Sequence, residues 1–250
     1  MTSRKAAGTE PARRVGGHRF RSTWISLNLL GFAAAGAAFG AVQRARSQPY
    51  FEVVTSARAA MRIEAVHTGE SLAVFGALVG AAQWLALRRS PYARWWTPTT
   101  AVGWSATGVL VGAVSGLTFG SVSSIGPSRS PVVAAAGGLV STLLVALLPS
   151  GVQWLVLRRH IAQSGRWPLI NLAGLIPGLT VAGLVVRGFL VEAVPWLTPY
   201  DFPSAKALVC VGAVTGLVYG AITARWVGLN LAGIVRPWPL WRVRGTRTSV

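Results

Sequence analysis

Six runs of about twenty mostly apolar residues follow one another along this chain, at Trp24–Val42, Ser71–Leu87, Thr99–Val122, Val132–Leu157, Pro168–Val191 and Ala207–Leu229. A hydrocarbon layer about 30 Å thick is crossed by about 20 helical residues, so each run has the length of one membrane span. The runs are apolar on every side, whereas a strand of a membrane barrel would alternate polar and apolar residues over about ten positions. The pattern therefore predicts an all-α fold, a polytopic membrane helix bundle of about six transmembrane helices. Charged residues make up only 12% of the chain, about half of the roughly 25% that a soluble domain carries. That excludes an ordinary water-soluble enzyme, and the single cysteine, Cys210, excludes a disulfide scaffold.

The formal charge of +18 raises nucleic-acid binding as a possibility, but the placement of the charges argues against it. Basic residues cluster between the apolar runs, at Arg13-Arg14, Arg88-Arg89, Arg158-Arg159 and Arg242–Arg247. Counting Arg225 near the inner end of the sixth run, seventeen of the 24 Lys and Arg fall on the side of the membrane that holds the N-terminus, six fall on the other side, and Arg187 lies within the fifth run. Basic residues concentrate in cytoplasmic segments, so both termini are expected in the cytoplasm of a cell whose inner (plasma) membrane holds the protein. Residues 1–23 then form a basic cytoplasmic tail, expected to be disordered, 24–229 the six-span domain, and 230–250 a second basic tail. The first run could also be read as a cleavable signal, but its length exceeds the usual 7 to 15 residues of a signal's apolar region. The outer segment Gln43–Glu70 fits either a helix lying on the membrane surface or a loop.

An internal repeat has an offset of 70 residues. Gln83-Trp84-Leu85-Ala86-Leu87-Arg88-Arg89 matches Gln153-Trp154-Leu155-Val156-Leu157-Arg158-Arg159 at six of seven positions, and Arg94-Trp95 and Arg166-Trp167 follow the two copies. The unit is a helical hairpin with a basic turn, present as two parallel copies at about 71–122 and 132–191. Trp84, Arg88, Arg89, Trp95, Trp154, Arg158, Arg159 and Trp167 fit inner-interface anchors, as does Trp96, with indoles among the headgroups and arginines against anionic lipid. Glycines recur every four residues at Gly108, Gly112, Gly116 and Gly120 and again at Gly212, Gly216 and Gly220. Such spacing lets helix backbones approach closely in lipid. The combination of small residues, Gln-Trp-Leu-x-Leu-Arg-Arg, Arg-Trp and a Gly-rich helix resembles a group of uncharacterised multi-spanning bacterial proteins, numerous in cyanobacteria and Chloroflexota. The likeness covers roughly 76–116 and 146–183, with a weaker echo at 212–228. It implies the fold and carries no activity.

Polar groups inside the spans are few. No Asp or Glu lies in any run, so the intramembrane carboxylates used by ion-coupled transporters are missing. The polar candidates that remain are Gln83, Gln153 and Arg187, and Pro149 and Pro177 interrupt two runs. His18, His67 and His160 all fall outside the runs, so neither a zinc pair nor a haem ligand is expected from them. The expectation is a protein that is not an enzyme and has no cofactor or metal. Its expected partners are membrane lipids, with anionic headgroups at the cytoplasmic face, and a second copy or other membrane subunits, with no nucleic acid. Two functions compete: a structural or accessory subunit of a membrane assembly, and a small-solute channel or permease subunit served by a separate ATPase.

Overall fold

The computed structural model describes residues 10–47, 57–90, 93–119, 131–161, 163–186 and 205–230. All are helix or tight turn, in six helices: α1 (Glu10–Ser47), α2 (Ala57–Leu87), α3 (Ala93–Phe119), α4 (Pro131–Leu157), α5 (Trp167–Val186) and α6 (Ala205–Asn230). Five of them hold stretches long and apolar enough to cross a membrane, at Arg19–Gln43, Met61–Leu87, Ala136–Leu157, Ser164–Val185 and Leu208–Val227. The fold is a polytopic membrane helix bundle. The helix α3 covers the third run as far as Phe119 and stands outside that set of five.

Each helix packs against its neighbour in sequence, and α1 also packs against α6, so the six close into a ring. Glycine sets the spacing where the ring is tightest. A Cβ added at Gly108 or Gly112 would fall against the backbone of Thr68 or Glu64 on α2, and one added at Gly212 or Gly216 against that of Phe32 or Asn28 on α1. Side chains of that size would force the helix pairs apart. Gly220 faces Ile25 of α1 in the same seam, at 3.1 Å. Gly116 and Gly120 lie outside the residues whose side chains are described.

Two expectations about the ends of helices are corrected. The N-terminal segment expected to be disordered is helical from Glu10 and runs without a break into the first span. Of the segment Gln43–Glu70, expected as a surface helix or a loop, the described residues belong to the long helices: Gln43–Ser47 ends α1, and Ala57–Glu70 is the first half of α2. Thr68 and Glu64 pack there against the α3 glycines, which holds this part of α2 upright in the bundle. Arg187, a polar candidate within the fifth run, lies outside the described residues.

Candidate functional site

The polar residues of the bundle meet on its axis. Gln83 of α2 and Gln153 of α4 are buried there, with Asn28 of α1, Thr100 of α3, Asn171 of α5 and Thr223 of α6. None carries a formal charge, so burial costs only what hydrogen bonding can restore. Restoration is extensive. Gln83 Nε2 donates to Asn28 Oδ1 at 2.8 Å and its Oε1 accepts from Trp96 Nε1 at 2.9 Å. Gln153 Nε2 donates to Thr100 Oγ1 at 2.9 Å, with a longer approach of 3.5 Å to Gln83 Oε1, and its Oε1 accepts from Trp167 Nε1 at 3.0 Å. Tyr219 Oη donates to Asn171 Oδ1 at 2.6 Å, and Trp24 Nε1 donates to Thr223 Oγ1 at 2.9 Å. These side-chain hydrogen bonds draw on all six helices, and the bonds of Asn28, Asn171 and Thr223 to backbone carbonyls join them.

Local sequence explains how each helix delivers its group. Asn28, Thr100 and Asn171 each follow a buried tryptophan by four residues, one helical turn, and each donates to that tryptophan's carbonyl at 2.7–2.8 Å. That back-bond fixes the side chain on the inward face and leaves its oxygen free to accept from the next helix. In α4, Pro149 removes one backbone donor, and the hydroxyl of the adjacent Ser150 donates to the carbonyls of Ala146 and Leu147, both at 2.9 Å.

On one side of the net, Trp24, Trp96, Trp167, Leu87, Leu157 and Val227 form a fully buried apolar plug, with the Trp96 and Trp167 rings 5.9 Å apart at 64°. On the other side lie Phe32, Phe75, Trp104 and Tyr219, where Phe32 meets Tyr219 at 5.4 Å and Phe75 meets Trp104 at 4.7 Å. Between them is a small cavity lined from all six helices, by Phe32, Val79, Gln83, Trp104, Gln153, Asn171 and Tyr219 among others. Its volume is about 10 Å³, at the lower limit of what one water molecule occupies. No group of three or more His, Cys, Asp or Glu able to hold a metal occurs among the described residues.

The sequence-derived anchors divide into two kinds. Arg88, Arg89, Arg158 and Arg159 are exposed, Trp84 and Trp95 are 39% and 54% exposed, and Trp154 is half-buried. Arg158 lies over the Trp154 ring at 5.5 Å, and Arg94 over Trp95 at 5.6 Å. Trp167 and Trp96 are corrected: both are 0% exposed, too deep to lie among headgroups, and their indole N–H groups serve Gln153 and Gln83. Sequence reading found both glutamines and missed Trp24, Asn28, Thr100, Asn171, Tyr219 and Thr223. The signal available for three of these was the spacing Trp-x-x-x-Asn or Trp-x-x-x-Thr within an apolar run, which marks a polar residue on the same helical face as a buried indole.

The fold and this uncharged, internally bonded core define a polytopic α-helical membrane protein. Comparison with protein-family models, with curated proteins and with solved structures finds no match.

Proposed function

We propose that the protein is a structural or accessory subunit of a larger membrane assembly, held in the inner membrane with both termini in the cytoplasm. The observation that carries this reading is the closed axis. The inward polar groups bond to one another, an apolar plug lies below them, and the remaining space is about 10 Å³. A core arranged in this way gives a rigid body with fixed outer faces, which suits a scaffold. Seventeen basic residues on the side of the N-terminus support the orientation, and the bacterial multi-spanning group named above is its proposed kin. No catalytic role is proposed. Extraction from native membranes in a mild detergent, followed by native mass spectrometry, tests the reading. A stoichiometric complex with other membrane proteins is the expected outcome, and a solitary monomer would refute it.

A second reading rests on the same cavity. Because all six helices line it, it occupies the place where a path for a small neutral solute would run in a channel or permease subunit. Stopped-flow swelling of proteoliposomes with water, glycerol and urea distinguishes the two. Solute flux above that of empty liposomes supports the channel, and flux at the empty-liposome level supports the scaffold.

A further inference from the structure

We infer that α6 and α1 together form a third copy of the hairpin present in α2–α3 and α4–α5, so that the ring is threefold. The offset of 70 that carries α2 onto α4 also carries α4 onto α6. Val79, Pro149 and Tyr219 then share one position, and all three line the axial cavity. Gln83, Gln153 and Thr223 share the next inward position, and Leu87, Leu157 and Val227, all 0% exposed, the one after. The second helices correspond in the same manner. Trp24, Trp96 and Trp167 are equivalent, as are Asn28, Thr100 and Asn171 four residues on, and Phe32, Trp104 and Leu175 four beyond those.

Equivalent positions make equivalent bonds. The three indoles donate to Thr223, Gln83 and Gln153, in each case the inward residue of the other helix of the same hairpin. From one hairpin to the next, Gln83 reaches Asn28 and Gln153 reaches Thr100. In the third copy Thr223 is too short for that reach, and its hydroxyl donates back to the Tyr219 carbonyl at 2.8 Å. Tyr219, one turn away, makes the missing link to Asn171. Backbone packing repeats independently of the polar net. Gly31, Gly103 and Gly174 are equivalent glycines, and a Cβ at each would meet Val79 with Ala82, Pro149 and Tyr219 respectively, the equivalent positions of the following hairpin. The first span supplies Trp24 and Asn28 to this ring.

Two full-chain experiments test the threefold reading. A circular permutant joins Val250 to Met1 and opens the chain between Pro91 and Tyr92, so that it begins with α3, the counterpart of α1, and keeps its ends on the original side of the membrane. It is expected to insert, and to melt in detergent within about 5 °C of the parent. The second experiment exchanges residues between copies. Thr100→Asn places at one position the side chain found at its two equivalents and should shift the midpoint by no more than about 3 °C. Thr107→Asn is the control: Thr107 is equally buried, but its equivalents are Ala35 and Gly178, so the larger side chain has no room and the midpoint should fall by about 5–10 °C. This pair decides the matter even where the permutant does not insert. Equal losses in Thr100→Asn and Thr107→Asn would overturn the inference.

Discussion

Replacing Gln153 by leucine removes the centre of the polar net at nearly constant volume. The change deletes the bond to Thr100 Oγ1 and the bond from Trp167 Nε1, and it strands the indole N–H of a tryptophan that is 0% exposed. Interhelical hydrogen bonds in membrane bundles average about 0.6 kcal/mol and reach about 1.7 kcal/mol, so two lost bonds cost about 1–3 kcal/mol. A buried donor left without an acceptor adds about 1–3 kcal/mol, while the apolar leucine returns part of this through favourable transfer into the core. The net expectation is a loss of about 2–4 kcal/mol, or about 5–15 °C for a chain of this size. Unfolding in mixed micelles of mild detergent and increasing SDS measures the loss directly. The double-mutant cycle with Trp167→Phe is the sharper assay, since phenylalanine has no N–H to strand. The double variant should be more stable than the two single losses added together predict, by about 1–2 kcal/mol. Strict additivity, or a Gln153→Leu protein as stable as the parent, would refute the claim that the amide and the indole serve one another.

Glycine positions should separate by their surroundings: Gly108→Ala, against the Thr68 backbone, should destabilise by about 1–3 kcal/mol, whereas Gly151→Ala, with nothing within 4 Å of the added carbon, should be neutral or gain up to about 1 kcal/mol in the same unfolding assay. Orientation is checked with an impermeant thiol reagent in a Cys210→Ala background, where Arg58→Cys should react from outside the cell and Gln163→Cys should not. Reaction of Gln163→Cys from outside would reverse the proposed topology. Converting Arg158 and Arg159 to lysine keeps the charge and should change stability by less than about 0.5 kcal/mol. A clear loss of co-purifying partners in that variant would point to a two-pronged guanidinium contact.

Span lengths and the 70-residue repeat made the bundle legible in the sequence, because hydrocarbon thickness and helical rise leave few alternatives. What the sequence could not separate was a tryptophan in the headgroups from one in the core. Trp95 and Trp96 are neighbours in the chain, yet one is 54% exposed and the other 0%, because adjacent residues on a helix point about 100° apart and only the ring closure decides which of them faces inward. Gln83 and Gln153 stood out as polar residues in apolar runs, whereas Tyr219 and Trp24 did not, since an aromatic residue near a span is equally at home in lipid or core. The closing contact between α1 and α6 is likewise invisible to local pattern. Its two halves lie about 200 residues apart, as in the Trp24–Thr223 bond. Arg187 lies outside the described residues.

The helix α1 is 38 residues long, about 57 Å at 1.5 Å per residue, while a bilayer with its headgroups measures about 40–45 Å. The helix is thus about 12–17 Å longer than the bilayer is thick, and its polar N-terminal turns from Glu10 are the part that can project. The same unbroken rod holds Trp24 and Asn28 in the centre of the bundle. A soluble protein gripping the projecting end would therefore hold a lever that reaches into the polar net, and a tilt applied outside the membrane would meet the Trp24–Thr223 bond and, one turn on, the Gln83–Asn28 bond.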